Sequence, residues 1–320
     1  MFQYITFIVG FFLLIKGADY LVKAAKSLAK SLKISPLIVG LTVVAFGTTL
    51  PELSVNIAAS LNGTTDVALG NIVGSLIANI LLILGVGAII FPLKVEWTAI
   101  KKEIPFSIVA VFVLLISATD GFVRNNASGI LERTEGMIYL CIFVLFICYI
   151  YLLVMQQRKD LGKHMVSEKQ HYLITILMMI GGTIGLYVGG KWVVDGAVLI
   201  ARNLGLSEFL ISSTIIAVGT SLPEFATAIT AAVKRSTEIA VGNIIGSNIL
   251  DVFWILGISA VIRPIPISKG IIFDIIFALF ATLLFIFFMY NSKNNRIVRW
   301  EGMTFVLIYI VYLLFNIYRG

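Results

Sequence analysis

The sequence is poor in charged residues, cysteine and histidine. Only 13% of the 320 residues are charged and 59% are apolar, whereas a soluble domain carries about 25% charged residues. So little charge cannot cover the surface of a water-soluble enzyme. Two cysteines and two histidines also argue against a zinc or copper site, because those metals prefer thiolate or imidazole ligands. The composition therefore predicts a polytopic, all-α membrane protein.

Apolar runs long enough to cross a bilayer follow one another along the chain. They predict ten transmembrane helices, near residues 2–22, 37–61, 67–91, 104–120, 136–155, 172–194, 209–233, 239–262, 270–290 and 301–318. The longest hydrophilic stretch, 156–171, is predicted to be a cytoplasmic linker. No stretch between the helices is long enough for a separate soluble domain.

Basic residues are distributed unevenly between the two sets of loops. Sixteen lie in the loops after predicted helices 1, 3, 5, 7 and 9, and seven lie on the other side. Cytoplasmic loops carry an excess of Lys and Arg, so the first set is predicted to face the cytoplasm and both termini the outside of the plasma membrane. The net charge of +7 is explained by this topology, and no nucleic-acid partner is expected.

The chain repeats itself after 172 residues. Of the 51 residues from Thr42 to Pro92, 23 are identical to their counterparts between Thr214 and Pro264. Average residue usage would give about four or five matches. The repeat is therefore real, and it contains no insertion.

Each copy of the repeat is predicted to contain five helices, an odd number, so the two copies must cross the membrane in opposite directions. The copies span residues 1–155 and 172–320, with their most similar regions at 40–92 and 212–264. Inverted repeats of this kind are typical of secondary transporters, whose binding site lies at the bilayer midplane where the copies meet.

Both copies interrupt a helix in the same way. The segments GTTLPE at 47–52 and GTSLPE at 219–224 place a proline and then a glutamate in the middle of predicted helices 2 and 7. Proline frees the carbonyl one turn before it. An acidic residue at the bilayer centre costs about 2.5–3.5 kcal/mol. The matched pair Glu52 and Glu224 therefore predicts a functional site at two discontinuous helices.

Further oxygen ligands fall at helical spacing from these glutamates. Thr48 and Thr220 precede them by one turn. The next helix of each copy carries one polar stripe, Asn71, Ser75 and Asn79 in the first and Asn243, Ser247 and Asp251 in the second. An all-oxygen donor set suits a hard cation such as Ca²⁺, which takes about six to eight oxygen ligands. Asn71 and Asn243 are expected to be structural and to bond each other across the repeat interface.

With these motifs the sequence resembles the sodium/calcium exchanger family of the cation/calcium antiporter superfamily, as a minimal prokaryotic member. The resemblance implies an antiporter in which Na⁺ and Ca²⁺ alternate in one midplane pocket while helices 1 and 6 slide against the other eight. The Ca²⁺ ligands that it implies are Glu52, Glu224, Thr48 and Thr220, with the carbonyls of Ala45 and Ala217. For Na⁺ it implies Thr49, Ser75, Ser221 and Ser247, and it places Asn79 and Asp251 at the central position.

Two positions depart from a symmetrical form of this family pattern. Thr49 stands where the motif usually has serine. The threonine keeps the hydroxyl and adds a methyl group beside one Na⁺ site. Asp251 stands opposite Asn79 in the other copy. Because a third carboxylate beside two glutamates is hard to ionise, Asp251 is expected to carry a proton.

Alternatives to Na⁺/Ca²⁺ exchange stay open from the sequence. A K⁺-dependent Na⁺/Ca²⁺ exchanger shares an aspartate at the position of Asp251, and a H⁺/Ca²⁺ exchanger or a cation channel are further alternatives. An enzyme is disfavoured, because His164 and His171 fall in or beside the central loop and no nucleophile–base pair falls in the helices. We expect no prosthetic group, Ca²⁺ and Na⁺ as transported ligands, the lipid bilayer as surroundings, and a monomeric functional unit.

Overall fold

The computed structural model describes residues 2–94, 103–123, 129–161, 172–205, 217–292 and 295–319. Most of these residues are helical. In chain order the α-helices are α1 (Phe2–Leu32), α2 (Pro36–Val39), α3 (Ala45–Thr48), α4 (Leu50–Asn62), α5 (Thr65–Ile77), α6 (Leu84–Ile90), α7 (Pro105–Val123), α8 (Arg133–Leu161), α9 (Tyr172–Asn203), α10 (Ala217–Gly219), α11 (Leu222–Val233), α12 (Thr237–Leu250), α13 (Gly257–Ile262), α14 (Lys269–Asn291) and α15 (Arg299–Arg319). The beginning of predicted helix 7, at 209–216, and residues 162–171 of the predicted linker lie outside the described residues.

Seven helical segments within the described residues are long and apolar enough to cross a membrane. They are Gln3–Leu32, Val67–Ile90, Arg133–Arg158, Tyr172–Asn203, Thr237–Ile262, Gly270–Asn291 and Arg299–Arg319. The pair Pro36–Thr48 and Leu50–Asn62 passes the same test as one bent span, and Pro105–Asp120 and Leu222–Val233 are shorter apolar helices. The predicted all-helical membrane protein is confirmed at this level.

Two of these segments occupy the centre of the molecule. Val67–Ile90 and Thr237–Ile262 are 78% and 83% buried over their most apolar windows, whereas Tyr172–Asn203 is only 28% buried. The central pair consists of the helices that carry the two polar stripes. The sequence repeat therefore folds with the helices that carry the polar stripes innermost, where those polar side chains are shielded from lipid.

The helices α1 and α9 lie against each other along most of their length. Both are longer than predicted, since α1 continues to Leu32 and α9 to Asn203. In α1 the helix-forming residues Ala, Leu and Lys extend the helix beyond the apolar run. Glycines allow the two backbones to approach closely. A Cβ atom at Gly17 would lie 2.8 Å from the carbonyl oxygen of Gly182, so this contact requires small residues, as is common between membrane helices.

The two proline-containing helices are broken, as predicted. The first ends at Thr48 and resumes at Leu50 with a bend of 46°. In the second, α10 ends at Gly219 and α11 begins at Leu222. Each proline lies in the first turn of the new helix, where its missing N–H costs nothing. Each break therefore starts a new helix with a glutamate in its first turn.

Matched π-helical segments follow in both repeats. Ala78–Ile83 joins α5 to α6, and Asp251–Leu256 joins α12 to α13. A further π-helical segment, Gly40–Val44, precedes α3. Such wide turns often mark functional sites, and here they hold Asn79 and Asp251.

Two short antiparallel strand pairs, which were not predicted, tie the ends of the helices together. They are β1 (Leu93–Lys94) with β4 (Arg296–Ile297), and β2 (Gly129–Leu131) with β3 (Ile265–Ile267). The strands β1 and β3 begin 172 residues apart, at equivalent positions of the repeat. The helices before them also pack equivalently, α6 against α15 and α13 against α8.

Candidate cation-binding site

The acidic side chains predicted to bind a cation lie together in the interior. Glu52 and Glu224 are each 1% exposed, and so is Asp251. The carboxylate of Glu52 interacts electrostatically with those of Glu224 and Asp251. Both glutamates stand in the first turn of a helix, where the positive end of the helix dipole favours negative charge.

Threonine and asparagine residues form two matching bonds between the repeats. The Thr48 hydroxyl donates to Oδ1 of Asn243 at 3.0 Å, and the Thr220 hydroxyl donates to Oδ1 of Asn71 at 2.9 Å. The expectation that the two asparagines bond each other is therefore wrong. Each asparagine instead holds the threonine that precedes a glutamate of the other repeat by one turn. In this way the central helices position the broken ones.

The hydroxyl groups predicted to bind Na⁺ are paired on one side of the site only. Ser75 and Ser221 lie 3.1 Å apart, from Oγ to Oγ. At the equivalent place, the Thr49 hydroxyl donates to the Ala45 carbonyl at 2.9 Å, and Ser247 Oγ has no partner among the described residues. The two flanks of the site are therefore not equivalent.

The carbonyl oxygen of Ala45 is already engaged. It accepts the amide N–H of Thr49 at 2.9 Å, and the hydroxyls of Thr48 and Thr49 lie 3.2 and 2.9 Å away. A cation at this carbonyl would therefore have to displace or share a hydroxyl. The predicted counterpart in the second repeat, Ala217, is the first residue of α10.

Asn248 is a polar residue of the site that sequence reasoning missed. Asn79 donates through Nδ2 to Oδ1 of Asn248 at 2.8 Å, which joins the two central helices near Asp251. The position equivalent to Asn248 in the first repeat is Leu76. A search for polar residues shared by both repeats passes over it for that reason.

Several buried oxygen atoms of the site have no hydrogen-bond partner within the described part of the chain. They are Oε2 of Glu52, both carboxylate oxygens of Glu224, Oδ1 of Asp251, Oδ1 of Asn79 and Oγ of Ser247. Buried polar atoms without partners destabilise a protein unless a cation or water satisfies them. Among the described residues no three His, Cys, Asp or Glu side chains form a metal cluster. A cation here would therefore combine carboxylates with hydroxyl, amide and carbonyl oxygens.

A cavity reaches the helix breaks from one side. It has a volume of about 350 Å³ and lies between α9 and the breaks, where Pro51, Thr220 and Pro223 line it together with Lys191 and Asp195.

The end of α11 is fastened to α1. Lys234 forms an ion pair with Asp19, and the ammonium group of Lys26 donates to the Lys234 carbonyl at 3.1 Å. The cavity and this fastening involve opposite ends of α11.

A family model and individual relatives both identify the same protein family. The model of the sodium/calcium exchanger protein family matches residues 2–152 and 174–318. The chain is 31% identical to the sodium/calcium exchanger MaX1 of Methanosarcina acetivorans over 99% of both chains. It is 39% identical to the inner membrane protein YrbG of Escherichia coli, over 80% of this chain and 79% of that protein.

The solved structures give the same result for the fold. The structure of the sodium-calcium exchanger NCX_Mj, soaked with 2.5 mM Na⁺ and 0.1 mM Ca²⁺, superimposes with a TM-score of 0.82 at 30% identity and covers 98% of both chains. The matched segments contain both glutamate motifs and both polar stripes. This chain belongs to the sodium/calcium exchanger protein family.

Proposed function

We propose that this protein is a secondary antiporter that exchanges Na⁺ for Ca²⁺ at one shared site. The single observation that carries the proposal is the pair Glu52 and Glu224. Each is buried in the first turn after a helix break, with carboxylate oxygen that has no hydrogen-bond partner among the described residues. Family membership and the similarity to sodium/calcium exchangers support the choice of ions.

Charge balance explains why the two ions would compete. Two carboxylates neutralise one Ca²⁺, and the flexible, mixed oxygen set around them suits its large coordination number. Thr48 and Thr220 would complete the Ca²⁺ shell with the carbonyls of Ala45 and Ala217. Na⁺ ions would be held by the same carboxylates from the flanks, through Ser75 and Ser221 on one side and Thr49 and Ser247 on the other. Sharing the carboxylates makes occupancy by the two ions mutually exclusive.

The same charges explain why transport would be coupled. With no cation bound, Glu52 and Glu224 are buried carboxylates without compensation, which is very unfavourable in a low-dielectric interior. The empty site therefore cannot change sides easily, whereas the loaded site can. Every passage must then carry a cation, so net movement of Ca²⁺ in one direction requires Na⁺ to return in the other.

The architecture that we propose has ten spans in two inverted repeats, residues 1–155 and 172–320. The spans are α1, α2–α4, α5–α6, α7, α8, α9, α10–α11, α12–α13, α14 and α15. The equivalent strand pairs and helix contacts of the two repeats support this assignment. The excess of basic residues in one set of loops favours both termini outside the plasma membrane.

The mobile element in this proposal is the pair α1 and α9. The two helices contact each other far more than the rest of the molecule, and alternating access generally moves one bundle against another around a fixed site. In the proposed topology the cavity beside Lys191 opens to the outside. On the cytoplasmic side of this topology the ion pair between Asp19 and Lys234 holds α1 to the end of α11. These two features favour an outward-facing form.

K⁺ dependence is the second candidate, and the observation that favours it is Asp251. This carboxylate lies beside the two glutamates and Oδ1 has no partner within the described residues. A third charge could be balanced by a monovalent cation transported together with Ca²⁺.

Flux into proteoliposomes tests the proposal. Vesicles loaded with Na⁺ are diluted into ⁴⁵Ca²⁺, and parallel samples contain choline, K⁺ or an acid interior instead. Exchange predicts Ca²⁺ uptake only with internal Na⁺, and a further rise on adding K⁺ would establish the K⁺-dependent form. Uptake driven by a proton gradient alone, or without any gradient, would contradict Na⁺/Ca²⁺ exchange and point to a H⁺-coupled exchanger or a channel.

A further inference from the structure

The helix α4 runs beside the segment 251–263, and we call this contact the α4 seam. At one end the carboxylates of Glu52 and Asp251 interact. At the other end the guanidinium of Arg263 lies against Gly63, where an added Cβ atom would be 2.4 Å from Nη1. The two segments are therefore parallel and in step over about three turns. One end of the seam touches the cation site and the other reaches an exposed arginine.

Three buried polar residues line the seam between these ends. Asn56 and Ser60 follow Glu52 at one-turn intervals on α4, and they share a face with Gly63. Ser259 lies one turn before Arg263, in the helix α13, which packs against α4. Exposure is 0% for Asn56, 1% for Ser60 and 0% for Ser259. All three positions are therefore enclosed, at depths between the cation site and the end of the seam.

Each of these residues presents an oxygen atom without a hydrogen-bond partner among the described residues. They are Oδ1 of Asn56, Oγ of Ser60 and Oγ of Ser259. The orientation of Asn56 is fixed, because its Nδ2 donates to the carbonyl oxygen of Glu52 at 2.8 Å. Its Oδ1 can therefore only accept, and it needs a cation or a hydrogen-bond donor.

The second repeat provides a natural comparison. Its equivalent seam, the α11 seam, places α11 beside residues 79–91, and Arg235 lies over the ring of Phe91 at 5.5 Å. The contact of Arg235 with Phe91 occupies the position of the contact between Gly63 and Arg263. The residues equivalent to Asn56, Ser60 and Ser259 are Ala228, Ala232 and Gly87. The same backbone arrangement therefore forms with alanine or glycine at these three positions, so packing does not require the polar residues Asn56, Ser60 and Ser259.

We propose that the α4 seam is an additional binding site for a monovalent cation, held by the oxygens of Asn56, Ser60 and Ser259. The donors are one amide and two hydroxyls. Ca²⁺ sites normally rely on carboxylates, so this neutral set suits a singly charged ion. Arg263 at the end of the seam repels a divalent ion more strongly than a monovalent one. The identity of the ion as Na⁺ rests on the proposed exchange function.

Equilibrium binding of ²²Na⁺ to the purified, full-length protein tests this site without requiring transport. The variant N56A/S60A gives the α4 seam the residues that the α11 seam already has, so α4 should fold. It is expected to bind one Na⁺ fewer per chain than the unaltered protein, with its Ca²⁺ affinity unchanged. The matched control is Ser54→Ala, which removes a hydroxyl from the exposed face of the same helix and should bind the full number.

An unchanged number of Na⁺ ions in N56A/S60A would overturn the proposal and mean that the seam holds water alone. If that variant does not fold, Ser259→Ala removes a donor from the opposite wall, and full Na⁺ binding by a folded Ser259→Ala would equally contradict the site. The result is independent of the flux assay. Loss of one Na⁺ in a protein that shows no Na⁺-driven Ca²⁺ uptake would support the seam site and reject the exchange function.

Discussion

The first repeat carries Asn56, Ser60 and Asn79 where the second carries Ala228, Ala232 and Asp251. Both repeats nevertheless break a helix at the same proline and bury the same glutamate. The shared residues are those that would bind a cation from two sides. The residues that differ lie beside them. One difference changes the number of carboxylates in the site, and the others lie along the α4 seam. In the proposed mechanism the shared residues build the pocket, and we expect the residues that differ between the repeats to decide which ions it prefers.

The strongest test of the symmetrical part is removal of either glutamate. Glu52→Gln and Glu224→Gln should each reduce Na⁺-driven ⁴⁵Ca²⁺ uptake about 100-fold, because loss of a buried charged ligand costs about 3 kcal/mol. The control is Glu135→Gln, a half-buried glutamate in the first turn of α8. Normal uptake by one of the two site variants would mean that the repeats do not share one site.

The matching bonds between the repeats predict a smaller effect. Asn243→Leu removes the acceptor of the Thr48 hydroxyl, and Asn71→Leu does the same for Thr220. Each should raise the Ca²⁺ concentration for half-maximal exchange about tenfold, since a lost buried hydrogen bond costs about 1–1.5 kcal/mol. An effect in only one of the two variants would contradict this prediction, because it would mean that the two matching bonds do not have equal roles.

The unequal flanks of the site predict different Na⁺ responses. Ser75→Ala removes the partner of Ser221, and it should raise the Na⁺ concentration for half-maximal exchange about fivefold, equivalent to a bond of about 1 kcal/mol. The Ca²⁺ concentration for half-maximal activation should change less. Ser221→Ala deletes the same bond from the other side and should give the same shift. A larger change in Ca²⁺ dependence than in Na⁺ dependence would contradict the assignment of this pair to Na⁺.

The smallest effect is expected where the symmetry is restored. Asp251→Asn gives the second repeat the amide of the first. If Asp251 carries a proton, the exchange rate at neutral pH should stay within about threefold, because a protonated acid and an amide are both neutral. Infrared titration should then find no ionised Asp251 at neutral pH. An ionised Asp251, or loss of exchange in Asp251→Asn together with loss of K⁺ stimulation, would assign the aspartate to a charged cation ligand.

Spacing along a single helix was enough to predict several features of the fold. The prolines, followed by glutamate, mark the breaks at Thr49 and after Gly219, and both breaks are observed. The helical stripe through Ser75 and Asn79 correctly indicates a buried face. Such features depend on the backbone chemistry of proline and on helical periodicity, which act within a few residues.

Pairing between helices could not be predicted in this way. Asn71 and Asn243 hold threonines instead of each other, and Asn248, absent from the first repeat, is the partner of Asn79. The short strands beside α6 and α13 were likewise missed. In each case the partner lies more than a hundred residues away, so the register of two packed helices decides the contact.

By itself the sequence determined the repeat, the two interrupted helices and the identity of the buried carboxylates. Local periodicity, the missing N–H of proline and the cost of charge in a membrane are properties that a single segment already possesses. Only the tertiary structure decided which oxygens remain without partners, which flank of the site is paired, and which segments pack together in the α4 seam and the α11 seam. Those properties depend on which side chains lie opposite each other across two helices, and this is fixed only when the helices have packed.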